Sequence, residues 1–274
     1  MKRYIEITSL QNPKIKAAQK LFDRKDRDKT GLFLIEGYRE LKRASDAKIQ
    51  IHSLYICPDL FLGENEQSLI DTIALSGAEI FICDSKVFKK LSYRDRPDGL
   101  IAIARQMKGG LADLLPSCKN QRNPFFLIAE SIEKPGNLGT ILRSCDAVGI
   151  DGVIVCDRCT DIYNPNVVRA SVGTLFTIPV VEASSTETIE WLQKNHIQIL
   201  SSTPSASKEF TEVDMTVPLA IAVGTEQLGL SAQWLASAEI KVKIPMKGVA
   251  DSLNVATATT LLLYEVLRQR QVKR

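Results

Sequence analysis

The sequence predicts an α/β protein of two domains, on three observations. Short apolar stretches alternate with amphipathic stretches of helical period along nearly the whole chain. One segment breaks that alternation: 109–122 carries Gly109, Gly110 and Pro116 and reads as a linker. A length of 274 residues also exceeds what one domain usually holds, about 100–200 residues.

The first domain is expected over 1–108. Asn12 can cap a helix whose first turn accepts Pro13, and Ile15, Ala18 and Phe22 give that helix one apolar stripe. The charged run 24–29 then reads as a connection into a strand over 32–35. Helices are expected over 37–47, 66–75 and 85–91, and strands over 52–57, 79–83 and 100–104.

The second domain, 123–274, opens with a buried-type strand over 125–129. A loop follows, then a helix from about Asn137 that Gly149 stops before a strand over 152–156. Only Gly136 and Gly139 stand in that loop, so the GxGxxG dinucleotide fingerprint is absent. Arg143 falls six residues after Asn137, and both are expected on one side of the helix. A short helix over 164–170, a strand over 175–181, a helix over 187–194 and a strand over 197–201 come next. The apolar strand beginning at Leu219 runs into Gly224, Glu226 and Gly229, at the end where open parallel sheets place ligands. A helix over 232–237 and a strand over 240–244 lead to Pro245, which cannot continue a ladder. The loop around Gly248 delivers Asp251, Ser252 and Asn254, all cap-type residues, to a long last helix. That helix carries Val255, Ala258, Leu262 and Val266 at helical spacing, with Arg268 and Arg270 near its end. A polar turn at a helix start offers free amides to a polar ligand.

Composition narrows the function classes. No apolar run reaches the roughly 18 residues of a membrane span, so a cytoplasmic protein with no membrane partner is expected. Six cysteines at irregular spacing make no disulfide framework. Cys156-Asp-Arg-Cys159 has no second pair, and with two histidines in the chain neither a metal site nor histidine chemistry is expected. The net charge of +3 is unevenly spread: residues 1–108 hold twenty Lys/Arg against fifteen Asp/Glu, and the rest fifteen against seventeen. A polyanionic partner for the first domain follows, with Lys14, Lys16, Arg24 and Arg27 as its grip.

Three motifs, in this order, carry a resemblance. They are Asn137-Leu-Gly-Thr-Ile-Leu-Arg143 with Gly149, then Gly224-Thr-Glu-Gln-Leu-Gly229, then Ile244-Pro-Met with Ser252-Leu-Asn-Val255. With the spacer Arg169-Ala-Ser-Val-Gly173 they resemble the SpoU/TrmH (SPOUT) family of RNA ribose 2′-O-methyltransferases. Residues 1–108 are similar, through Leu34-Ile-Glu-Gly-Tyr-Arg-Glu-Leu41 and Asp98-Gly-Leu-Ile-Ala, to the ribosomal-protein-like substrate-binding domain that many members carry.

The resemblance implies a parallel-sheet catalytic domain tied in a deep trefoil knot, although knots run against the general rule for chain topology. It implies S-adenosylmethionine as cofactor, S-adenosylhomocysteine as product, and a homodimer packed around the knot. The cofactor is then expected against Gly224, Ile244 and Leu253, with Thr203 and Met246 nearby. Asn137, Arg143, Glu226, Ser252 and Asn254 are the expected catalytic set, with Glu226 orienting Arg143 or the loop. The family proposal makes the arginine a general base. A guanidinium stays protonated in proteins, so a fixed cation that holds a phosphate or the developing alkoxide is physically easier. The favoured substrate is ribosomal RNA, 23S rRNA above all. The alternatives are tRNA as substrate, or a catalytically silent RNA-binding or ribosome assembly factor.

Overall fold

The computed structural model describes residues 4–117 and 123–272. The chain divides into two compact units. The first covers Met1–Met107 with Asp161–Thr177, and the second Lys108–Thr160 with Ile178–Arg274. Residues 161–177, which the sequence reading placed in the second domain, therefore pack with the first. Their anchors are specific: the Tyr163 ring lies 4.7 Å from that of Phe33, and the Tyr163 hydroxyl donates to the Met107 carbonyl at 2.9 Å.

The first unit is built on strands β1 (Ile5–Ile7), β2 (Leu32–Glu36), β3 (Ile51–Ile56), β4 (Glu79–Cys83) and β5 (Leu100–Arg105), in the sheet order β1-β4-β3-β5-β2. β1, β4 and β3 are parallel, and β5 runs antiparallel to both β3 and β2. Its helices are α1 (Pro13–Lys20), α2 (Arg24–Thr30), α3 (Tyr38–Asp46), α4 (Glu66–Leu75) and α5 (Ser85–Leu91). Asn12 caps α1 as expected, its Oδ1 accepting from the Lys14 amide at 2.9 Å. Ile15, Ala18, Tyr55, Phe81 and Phe88 share one buried cluster.

The charged run is where expectation and structure part. It forms α2, with its buried side held by Arg27, which is 2% exposed. The guanidinium donates to Asp161 at 2.5 Å and to the carbonyls of Leu21 and Phe22 at 2.8 and 2.7 Å. Every branch of the fork is satisfied inside the protein, so Arg27 is not a solvent-facing phosphate contact and leaves the predicted grip. Hydrophobic periodicity cannot find a helix whose inward residue is a charge.

The second unit begins with a 3₁₀ turn, Leu111–Asp113, and α6 (Leu114–Ser117), so the expected linker is partly structured; 118–122 lie outside the described residues. Strand β6 (Phe125–Glu130), helix α7 (Pro135–Val148) and strand β7 (Gly152–Cys156) form the βαβ unit. Helix α8 (Pro165–Ala170) belongs to the first unit. Then come β8 (Val180–Ala183), α9 (Ser185–Lys194), β9 (Gln198–Ser202), β10 (Lys208–Glu209), β11 (Leu219–Val223), α10 (Ala232–Ser237), β12 (Ile240–Lys243) and α11 (Val255–Val272). The sheet order is β10-β12-β9-β11-β6-β7-β8, and every pairing is parallel. β6, β7 and β11 are buried along their whole length, as a sheet covered on both faces requires.

The expected strand over 175–181 is a 3₁₀ turn, Thr174–Phe176, followed by β8 from Val180. Leu175 and Phe176 are buried in the first unit, Phe176 with its ring 6.0 Å from that of Phe33, and an apolar run with that destination need not be extended. Cys156 lies buried, its thiol donating to Thr188 Oγ1 at 3.3 Å, and burial pushes that thiol up to about 12. Among the described residues no helix is long and apolar enough to cross a membrane, and no group of three or more His, Cys, Asp or Glu could hold a metal ion.

Candidate active site

A cavity of about 500 Å³ in the second unit is walled by residues just past β9, β11 and β12. Thr203, Gly224, Ile244, Met246 and Leu253 all line it, as do Glu226, Ser252 and Asn254. The parallel sheet explains the convergence, because strands running the same way release their following loops at one edge.

Gly224 sets the shape of one wall. A Cβ there would stand closer than 3.0 Å to the Gly229 carbonyl and the Leu230 nitrogen, both main-chain atoms with no freedom to swing aside. The chain folds back at this point through paired bonds: the Thr225 amide donates to Gly229 O at 3.0 Å and the Gly229 amide to Thr225 O at 3.1 Å. Gly229 makes the turn with φ at +71°.

Three of the predicted side chains form one hydrogen-bonded line. Asn137 donates through Nδ2 to Glu226 Oε1 at 2.6 Å, and Asn254 donates through Nδ2 to Asn137 Oδ1 at 3.2 Å. Asn254 Oδ1 then accepts from the Ala256 amide at 2.9 Å and caps α11. A carboxylate only accepts, so Asn137 must turn its amide nitrogen toward Glu226 and its oxygen toward Asn254. Glu226 also accepts from the main-chain amides of Glu133 and Lys134, at 3.1 and 3.2 Å, at the start of α7. Burial pushes the Glu226 carboxyl upward, but the bonds from Asn137, Glu133 and Lys134 outweigh it and hold the group below the usual carboxylate range. Glu226 is thus an ionised acceptor that fixes the loop, and its partners do not include Arg143.

Arg143 stands apart. It is exposed on α7, outside the cavity lining. Six residues at about 100° each turn it roughly 120° around the helix from Asn137, so the expected shared side is not what the helix delivers. The residue that does share the Asn137 face is Ser144, whose hydroxyl pairs with that of Thr260 on α11 at 2.7 Å. Ser252 lines the cavity with an exposed side chain, and Leu253 is 36% exposed.

Of the predicted RNA grip in the first unit, Lys16 and Arg24 are exposed, with Asp28 3.6 Å from Arg24. Lys14 is exposed but ion-paired with Glu79 at 2.8 Å. The sequence reading missed Ser202, Val223, Leu228, Leu235 and Ala258 in the cavity wall. A signal existed for two of them: Ser202 and Val223 end parallel strands.

The model of the SpoU rRNA Methylase family matches residues 124–264, more than half of the chain. The chain belongs to this family. It is a SpoU methylase, and thus an enzyme of the methyltransferase class. A second family model, the MRM3-like substrate binding domain, matches residues 12–102. A crystal structure of an RNA 2′-O ribose methyltransferase is 40% identical, with a TM-score of 0.84 over 97% of this SpoU methylase and 100% of its own chain. The AdoMet-bound rRNA methyltransferase from Sinorhizobium meliloti is 30% identical, with a TM-score of 0.87 over 96% of this chain and 97% of its own. The 23S rRNA (guanosine(2553)-2′-O)-methyltransferase RlmP of Bacillus subtilis (strain 168) is 26% identical over 261 residues, 95% of this chain and 98% of its own.

Proposed function

We propose that this SpoU methylase transfers a methyl group from S-adenosylmethionine to a ribose 2′-hydroxyl of RNA, with 23S rRNA as the substrate class and S-adenosylhomocysteine as the product. The observation that carries the reading is the Glu226–Asn137–Asn254 line, fixed beside a cavity that Gly224, Ile244, Met246 and Leu253 wall. The relatives support it in kind, since one holds AdoMet and another is named for 23S rRNA.

The residues present fit the cofactor. Val223, Leu230, Leu235 and Ile244 offer apolar walls suited to an adenine ring, and at Gly224 the main chain is bare where a Cβ could not stand. Thr203 and Ser252 add hydroxyls at the same cavity. S-adenosylmethionine, when bound, supplies a methyl already activated on a sulfonium. What remains for the chain is alignment and care of the hydroxyl proton. Glu226 and Asn137 hold the start of α7, while Asn254 holds the start of α11, so the loop bearing Ser252 and Leu253 is anchored. Arg143, permanently cationic and exposed, holds a backbone phosphate or the developing alkoxide. Lys16 and Arg24 supply phosphate contacts that give affinity without reading sequence.

The reading includes the trefoil knot, a cytoplasmic location and a homodimer. Leu261 and Tyr264, one turn apart on α11 and 40% and 49% exposed, suit burial against a second copy.

Alkaline hydrolysis tests the chemistry. A 2′-O-methyl group removes the hydroxyl that attacks the neighbouring phosphate, so label transferred from S-adenosylmethionine to RNA is expected in alkali-resistant dinucleotides of 23S rRNA. Label released as mononucleotides would mean base methylation and sink the proposal.

A further inference from the structure

The first unit carries an exposed aromatic ring on a tightly fixed stretch of chain. Tyr93 follows α5 and is 44% exposed. Its amide donates to Glu36 Oε2 at 2.8 Å. The Ser92 hydroxyl donates to Glu36 Oε1 and accepts from the Arg94 amide at 3.0 Å. The backbone at this position is therefore set before any ligand arrives.

Two other segments of the unit gather around the ring. The half-buried Phe22 ring lies 6.3 Å from that of Tyr93, and the Arg169 guanidinium, on α8, stands over the Tyr93 ring 5.3 Å from its centroid. Gln19 Nε2 donates to the Lys90 carbonyl at 3.2 Å, tying the first of these segments to α5. Residues 19–24, 90–96 and 166–169 thus share one surface. Its exposed charges are Lys20, Arg24, Lys90, Arg96 and Arg169 against Asp23 and Asp95, an excess of cations. Arg169 is only partly engaged. Its Nη2 donates to Asn166 Oδ1 at 2.9 Å, and among the described residues its other N–H groups meet no acceptor.

We infer that Tyr93 and Arg169 form a stacking platform for an unpaired base of RNA, with the arginine holding a phosphate beside that base. The inference rests on the RNA-methyltransferase reading above and adds a place where the first unit grips a single strand. Each group supplies one part of what a nucleotide needs. The phenol ring is flat and apolar, and every base has a π face, so the contact takes any base. Cation–π attraction keeps the guanidinium beside the ring, and its spare N–H groups suit a phosphate oxygen. The surplus of cations around the pair favours a polyanion. Bases inside a duplex show only their edges, so the platform suits loops and single strands. Because Glu36 already anchors the loop, little ordering is lost on binding.

The test uses the full chain, a single-stranded RNA of about eight nucleotides, and the same sugar–phosphate chain without its bases. Fluorescence anisotropy reads binding over a series of salt concentrations. Wild type is expected to bind the RNA at least about fivefold tighter than the abasic chain. Tyr93→Leu is expected to lose about fivefold to 150-fold in affinity for the RNA, the scale of one stacked base. Its affinity for the abasic chain, its salt dependence and its S-adenosylmethionine affinity should stay at wild-type values. Tyr93→Phe keeps the ring and should bind as wild type does. Arg169→Gln should lower the slope of log affinity against log salt by about one, as the loss of one phosphate contact does. Equal wild-type binding of the two chains overturns the inference. So does a Tyr93→Leu variant with full affinity, or one weakened equally for both chains, since the ring would then serve only as scaffold. Methyl transfer to RNA without base-dependent binding confines the failure to this surface. Base-dependent binding that Tyr93→Leu abolishes, without methyl transfer to any RNA, leaves the platform standing and removes the enzyme reading.

Discussion

Replacing Gly224 with alanine adds one methyl group at a point where there is no space for it. The new Cβ would stand within 3.0 Å of the Gly229 carbonyl and the Leu230 nitrogen, so the returning chain must move away. The bonds most exposed to that movement are the pair between Thr225 and Gly229, at 3.0 and 3.1 Å. Each is worth about 0.5–1.5 kcal/mol net, so losing both removes about 1–3 kcal/mol from the loop that walls the cavity. At 1.4 kcal/mol per factor of ten, the cofactor dissociation constant should rise about fivefold to 150-fold. Titration calorimetry with S-adenosylmethionine reads this directly, and thermal denaturation reads the accompanying loss of stability. An alanine variant with wild-type affinity and melting temperature would refute the reasoning, since it would mean that the turn at 225–229 yields freely.

Further expectations follow from the same geometry. Glu226→Gln keeps the shape but turns one acceptor into a donor facing amides, so methyl transfer should fall about tenfold; unchanged turnover would show that Glu226 does not hold the loop. The carboxyl of Glu226 lies below its ordinary value of 4.5 in the folded chain. Its contribution is therefore present above 4.5 and lost as pH falls through the lowered folded value. The melting-temperature gap between wild type and Glu226→Gln should thus persist at neutral pH and close on acidification below 4.5; a gap that closed between pH 6 and 8 would contradict this. Asp161→Asn strands the buried guanidinium of Arg27, whose pair with Asp161 is 2% exposed on each side. Denaturant titration should show a loss of about 3–5 kcal/mol, and a loss within experimental error of zero would mean that the pair is solvated.

Much of the fold was legible because its signals are local. The capping of α1 by Asn12 and of α11 by Asn254 acts over two residues, between side chain and nearby amide. β6, β7 and β11 read as continuous apolar runs because both faces are covered. What stayed hidden depends on partners distant in sequence. α2 is a helix whose inward residue is a charge, and only the remote Asp161 makes that tolerable. β1 is three residues long, too short for alternation to show, and β10 shorter still. The strand expected over 175–181 failed because apolar content tells burial without telling conformation. At the site, the motifs named Asn137, Glu226 and Asn254, which the structure joins, and also Arg143, which it leaves outside the cavity lining; the partner of Glu226 was not among the signals. Asn137 and Glu226 are 89 residues apart, and Asn137 and Asn254 117 apart. Their pairing comes from loops released at one edge of a parallel sheet.

The central claim is methyl transfer to an RNA ribose, with Arg143 acting on the substrate rather than on the cofactor. The most direct measurement places wild type and Arg143→Ala side by side, with labelled S-adenosylmethionine and total cellular RNA, and determines cofactor affinity for both by calorimetry. Arg143 is exposed and outside the cavity lining, so the variant should bind the cofactor as the wild type does. Label in 23S rRNA should fall by about a hundredfold or more, the scale on which one fixed electrostatic group acts on a developing oxyanion. A variant that methylates RNA at the wild-type rate would contradict the account, and so would one that loses turnover only because it no longer binds S-adenosylmethionine.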